Sequence, residues 1–188
     1  MAGSAVALPQ VWRVRMSLQM KARRCGDCTL CCRVLPVAEI DKAAGQRCSH
    51  QYSKGCRVYR GAGFPLGCGL WSCLWLTDES LPLPRPDRAG YVIDPTRDYI
   101  EVEGYNVGVV QVWVDPRAPD SHRDPALRSW LAARWDSHQQ LALVRFDEAR
   151  AITLFPPRVF VDGWYEQAGR ATTQHSPAQI KAALSKET

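Results

Sequence analysis

All eight cysteines of the 188-residue chain fall between Cys25 and Cys73, and thiolates are the ligands that soft metal centres select. Cys25, Cys28 and Cys31 are three residues apart, a spacing at which a turning loop can aim three sulfurs at one point, as ferredoxin-like and zinc-ribbon loops do. Cys32 follows directly. Side chains of adjacent residues normally diverge, so Cys31 and Cys32 suit two neighbouring centres, or a ligand beside a structural or substrate-facing thiol. Cys48, Cys56, Cys68 and Cys73 supply further partners, and eight thiols suffice for two four-cysteine centres without requiring them. The expected metal ligands are therefore Cys25, Cys28, Cys31, Cys32, Cys48, Cys56, Cys68 and Cys73. Of these, Cys73 in the apolar run LWSCLWL is the one whose alternative is simply a buried core thiol. His50 could replace a cysteine through a neutral imidazole, although a supporting hydrogen bond or surface exposure explains it equally.

Two other thiol chemistries compete. Four disulfides match the even count, and Cys-x-x-Cys can lower a thiol pKa as redox centres do. The N-terminal stretch reads AVALPQVW and then turns basic at Arg13, Arg15, Lys21, Arg23 and Arg24, the reverse order of a secretory signal. Met16 and Met20 are alternative starts. A cytoplasmic location is expected, and there clustered thiols bind metal more often than they pair. The strand-to-helix setting of thioredoxin-like motifs is not apparent around these cysteines. No run approaches the roughly 20 apolar residues of a membrane span, so no membrane is expected as a partner.

The formal charge of +5 is unevenly placed. From residue 21 to 76, nine basic residues face only Asp27, Glu39 and Asp41, a local charge of +6 that leaves about −1 for the rest. Four thiolates around zinc or a [4Fe–4S] core carry about −2, so two such centres offset most of this excess. Nucleic acid is accordingly not expected as a partner, since no aromatic-interleaved sheet or reading helix accompanies the basic residues.

The run CGDCTLCCRV, followed by AGQRCSH, KGCRVY and CGLWSCLWL, resembles the CxxCxxCC cysteine-cluster family, described as a zinc- or iron-chelating domain and similar in motif to flagellin lysine N-methylases. The resemblance covers residues 25 to about 76. It implies a bound metal centre and, through the methylases, raises a 4Fe–4S iron–sulfur cluster above zinc. It does not carry over methylation, because no residue here identifies a lysine substrate or a methyl donor. Family members place an Arg-Pro pair before the cysteine that follows Gly-Cys-x-x-Tyr. Here Phe64-Pro65 precedes Cys68, so no role for that arginine transfers.

The elements that must position the thiols divide the chain into an N-terminal extension (1–24), a cysteine module (25–80), a connector (81–90) and a small α+β unit (91–188). Seven glycines between 26 and 69 predict loops that fold thiolates inward, with a helical turn or two at Glu39 to Ala44. LPLPRPDRAG predicts an extended connector, since its prolines remove backbone donors. Beyond it, strands are expected at Tyr91–Asp94, Tyr99–Val102, Val107–Asp115, Leu141–Phe146, Ala151–Phe155 and Arg158–Val161, forming a mostly antiparallel sheet. In the third, Val110, Val112 and Val114 share one face, and Val109, Gln111 and Trp113 the other. Asp124 as N-cap and Pro125 at the first position open a helix with Leu127, Trp130, Leu131 and Trp135 in one stripe. Ser176 begins a capping box for a short C-terminal helix.

The sequence thus predicts a cytoplasmic protein that carries an iron–sulfur cluster or zinc on a loop-rich module packed by a small α+β unit. A redox or protein-modification role, with a protein or redox partner, is the leading expectation. A structural-zinc module for nucleic-acid or protein interaction is the alternative. Catalysis is left open: His122, His138 and His175 have no matching nucleophile or carboxylate pattern.

Overall fold

The computed structural model describes residues 23–53, 55–102 and 104–170. Most of the N-terminal extension, His175 and the helix expected from Ser176 lie outside the described residues.

Regular structure in the cysteine segment is short, as its glycine content requires. It comprises α1 (Cys31–Val34), a two-residue hairpin of β1 (Gln51–Tyr52) and β2 (Gly55–Cys56), α2 (Leu66–Leu70) and α3 (Leu74–Thr77). The helical turn expected at Glu39 to Ala44 is a 3-10 turn at Ala38–Ile40, and Asp41 ends it in the left-handed region at φ 49°.

The connector is not extended throughout. Leu81 and Leu83 are buried in the largest apolar cluster, and Pro86–Ala89 forms a helical turn, α4, with proline at its tolerated first position. Gly90 closes that turn at φ 77°, where a Cβ would meet Ser121 Cβ at 3.0 Å and Ala118 Cβ at 3.1 Å. Only glycine satisfies both the backbone conformation and the space.

The second half is a five-stranded sheet of β3 (Tyr91–Val102), β4 (Tyr105–Val114), β5 (Leu141–Arg145), β6 (Arg150–Phe155) and β7 (Tyr165–Arg170), ordered as numbered. Every neighbouring pair is antiparallel except β4 and β5. A parallel pair needs a crossover, which α5 (Pro125–His138) supplies. Asp124 caps α5 by accepting from the Ala126 amide at 2.7 Å, as its sequence position predicts.

Two expected strands fuse into β3. Its register shifts between Asp94 and Asp98, leaving Pro95, Thr96 and Arg97 opposite Val110 alone. Proline cannot donate to the ladder, so the strand bulges there and continues. The strand expected at Arg158–Val161 is instead a turn: Pro156 and Pro157 lack amide donors, and Arg158 adopts φ 74°. One edge strand, β7, has no counterpart among the strands expected from the sequence.

Alternation in β4 decides what covers each face. Val110, Val112 and Val114 join Tyr91, Ile93, Leu127, Leu131, Leu81 and Leu83, so α5 and the connector cover one face. On the other, Trp113 and Val92 pack with Leu30, Val34, Ala44 and Cys73 of the cysteine segment. Farther along that second face, Val109 packs with Ile100, Leu141, Leu143, Ala151 and Phe155. The cysteine segment therefore shares a core with the sheet.

Candidate metal centre

The cysteine segment is pinned to the sheet by polar contacts around its apolar core. Trp71 Nε1 donates to Asp94 Oδ1 at 3.0 Å, and Asp94 also accepts from the Thr96 amide at 2.8 Å. Arg33 pairs with Asp115 at 3.4 Å, and the Ala44 amide donates to the Glu148 carboxylate. At the start of the described chain, Arg23 donates to the carbonyls of Trp75, Asp78 and Leu81 at 2.9–3.0 Å, its guanidinium lying over the Trp75 ring. These fasten both ends of the segment, so loops with little secondary structure acquire fixed positions.

All eight cysteines are free thiols. Cys25 and Cys68 are exposed and Cys73 is buried, while Cys28, Cys31, Cys32, Cys48 and Cys56 are half-buried. Among the described residues, no three Cys, His, Asp or Glu side chains converge tightly enough to hold one metal ion. Five of the thiols lie near one of two cations. Arg85 lies near the thiols of Cys25 and Cys28, makes a 2.8 Å ion pair with Asp27 and chelates Asp87. Lys42 lies near Cys48, Cys32 and Cys31, and near the Glu148 carboxylate. Its ammonium is buried and donates to the carbonyls of Arg33 and Ala43, both at 3.2 Å, and to that of Leu35. A buried ammonium is tolerated only when its donors are satisfied, and here all three have an acceptor.

The electrostatics follow from burial and from these neighbours. Burial raises the thiol pKa of Cys25, Cys28, Cys68 and Cys73. Cys31 and Cys32, consecutive in α1, lie close enough to pair. The Cys31 thiol donates to Cys32, which moves Cys31 up and Cys32 down to about 7, with Lys42 adding to the latter. Consecutive helical positions point about 100° apart, so the two thiols interact while facing different directions. Thiolate ligands must lose their protons, so a cation beside each group of thiols lowers the cost of gathering negative charge.

His50 is half-buried, and its carbonyl accepts from the Arg57 amide at 2.9 Å. His122 is buried against the sheet with Nδ1 2.9 Å from the Pro119 carbonyl, and His138 is exposed beside Ser137. Trp71 and Trp75 both pack on the cluster that contains Cys73.

The sequence reading did not single out Arg85, which sits between Pro84 and Pro86 in what read as a linker. It also left aside the buried Arg145 of β5. Arg145 donates to Gln111 at 2.7 Å, and Gln111 donates to Asp98 at 3.0 Å, on the sheet face that bears the cysteine segment. An arginine in the unbroken apolar run LALVRF was the available signal.

The donor types, eight sulfurs with Trp71 and Trp75 packed on the cluster that holds Cys73, are those that soft metals select, while no three of them converge among the described residues. No family model, curated protein or solved structure matches the chain.

Proposed function

We propose that this chain is a metal-binding protein whose eight-cysteine segment carries an iron–sulfur cluster or zinc, with the α+β sheet as its support. The observation that carries this reading is the packing of the eight-cysteine segment onto the sheet through Leu30, Val34 and Cys73, with Arg85 near Cys25 and Cys28 and Lys42 near Cys48, Cys32 and Cys31. A cation beside a thiol favours the thiolate form that metal binding requires. The resemblance to the CxxCxxCC family supports the same reading and favours the cluster over zinc. An iron–sulfur centre would supply electron exchange, suiting a redox or protein-modification role with a protein or redox partner; zinc held by four thiolates would be structural.

A cytoplasmic location is part of the proposal. Among the described residues, no helix is long and apolar enough to cross a membrane. The test is anaerobic purification followed by iron, zinc and sulfide analysis with a visible spectrum. Iron with stoichiometric sulfide and a brown colour supports the cluster. Colourless protein with stoichiometric zinc assigns the structural alternative. Protein without either metal, with its cysteines paired in freshly lysed cells, overturns the proposal.

A further inference from the structure

We infer that the outer surface of the cysteine segment, formed by Arg57, Tyr59, Arg60, Leu66 and Leu70, is a docking site for an acidic protein partner. The inference goes beyond the metal-binding reading and does not depend on it, because it stands on exposure and charge rather than on the thiols.

The surface is continuous. The Arg60 guanidinium lies over the Tyr59 ring at 5.3 Å, and Tyr59 meets Phe64 edge to face at 5.4 Å. Phe64 lies against α2, where a Cβ built at Gly69 would be 3.5 Å from its Cε1. Leu66 and Leu70 stand four residues apart on the same helix, so they share a face. Leu66 is 69% exposed, Leu70 79% and Tyr59 62%, so none of the three is buried by the rest of the chain. The base beneath them is fixed. At the start of α2 the Gly67 amide donates to Glu39 Oε1 at 2.8 Å, and at its end the Trp71 amide donates to the Gly67 carbonyl at 3.1 Å. Trp71 is itself held by Asp94, and the Arg57 amide ties the β1–β2 hairpin to the His50 carbonyl at 2.9 Å. An apolar patch with a polar rim marks an interaction site, and a surface ordered in advance spends less on docking.

Charge selects the partner. Between Asp41 and Asp78 the sequence contains no Asp or Glu, while it contains Lys42, Arg47, Lys54, Arg57 and Arg60. Lys42 is buried, but Arg47, Arg57 and Arg60 are exposed. Among the described residues no carboxylate pairs with Arg57 or Arg60. Glu39 borders α2, with Oε1 occupied by the Gly67 amide. A partner that carries carboxylates around an apolar centre is the complement of this surface. Arginine and tyrosine around apolar side chains are also the residue types that protein interfaces favour. Phosphates of a nucleic acid would satisfy the arginines but not the leucines. A membrane-surface helix presents a charged face opposite its apolar one, whereas α2, LGCGL, has none.

The probe is a fluorescein-labelled synthetic helix with Glu along one face and Leu along the other, and its anisotropy is followed as full-length protein is added. Wild type is expected to bind it, and to bind far more weakly the same helix with Lys in place of Glu or Ser in place of Leu. Leu66→Ser/Leu70→Ser and Arg57→Ser/Arg60→Ser should each weaken binding about tenfold or more, and added salt should weaken wild type while barely moving the arginine variant. Arg97→Ser and Tyr105→Ser, exposed on the β3–β4 hairpin, should bind like wild type. Every substituted position is exposed, and circular dichroism should show the fold unchanged in each variant. No binding by folded wild type, or equal binding by the leucine and arginine variants, overturns the docking site. Tighter binding of phosphatidylserine vesicles or duplex DNA through these same residues overturns a protein as the partner. Iron and zinc measured in the same preparations keep the two readings apart: peptide binding without metal leaves this surface standing, and metal without peptide binding leaves the metal centre standing.

Discussion

Trp71 Nε1 donates to Asp94 Oδ1 at 3.0 Å, joining the residue two before Cys73 to the bulge of the first long strand. Asp94 is the last paired residue before Pro95 interrupts the ladder, and its second interaction, with the Thr96 amide, shapes the bulge itself. A defect in the strand thus becomes an anchor for the cysteine segment. Replacing Trp71 with Phe keeps the ring and removes the donor, and should cost about 1 kcal/mol of stability. Urea unfolding of the two proteins measures this; an unchanged midpoint would show the anchor to be idle.

Arg145 is buried over the Trp113 ring, donates to Gln111 and lies 3.9 Å from Asp98. Desolvation lowers its pKa, with Asp98 and Asp94 acting in the opposite direction. Arg145→Ala removes a buried cation and its packing together, and the expected loss is about 3 kcal/mol or more. Thermal unfolding checks it. Arg145→Met should be milder, because the stem volume is kept.

His122 is buried with Phe146 edge-on to its ring, Glu166 at 3.8 Å, and Arg123 and Arg128 nearby. Burial holds its pKa below the usual imidazole range, while the Pro119 carbonyl and Glu166 push the other way and both arginines reinforce the lowering. A lowered folded pKa means that the unfolded chain takes up the proton first. The stability this residue contributes is present in full above about pH 6.5 and is lost as pH falls through that value toward the folded pKa. Urea midpoints at pH 7.5 and 5.5 should differ more for wild type than for His122→Gln.

Asp124→Ala removes the side-chain cap of α5 and should cost about 1 kcal/mol, measured by the same unfolding curves. Metal binding should be unchanged, since α5 covers the sheet face opposite the cysteines.

Much of the sheet was legible because its information is local. The alternation of Val110, Val112 and Val114 against Val109, Gln111 and Trp113 appears in the structure as two differently covered faces. The cap and stripe of α5 likewise depend only on neighbours within a few residues. What escaped was set by distant partners. Leu81 and Leu83 read as linker between prolines, yet they complete the core under α5. Tyr165–Arg170 becomes a strand by pairing with β6, which no periodicity of its own announced. The cysteines were legible by type and spacing. Their neighbours Lys42 and Arg85 were not, because loops without a repeating pattern bring them there.

Lys42 and Arg85 also offer a test of charge compensation. Lys42→Met and Arg85→Met should each weaken cobalt(II) binding to the reduced, metal-free protein about tenfold or more, read by sulfur-to-cobalt absorption. Unchanged cobalt affinity in both variants would show that neither cation offsets thiolate charge.

The central claim is that sulfur alone holds a metal on this segment. X-ray absorption at the iron or zinc edge, recorded on anaerobically purified full-length protein, tests it most directly. The expected result is a first shell of sulfur only, at about 2.3 Å for zinc, with four sulfurs per metal. A first shell dominated by nitrogen or oxygen, or no bound metal at all, would contradict it.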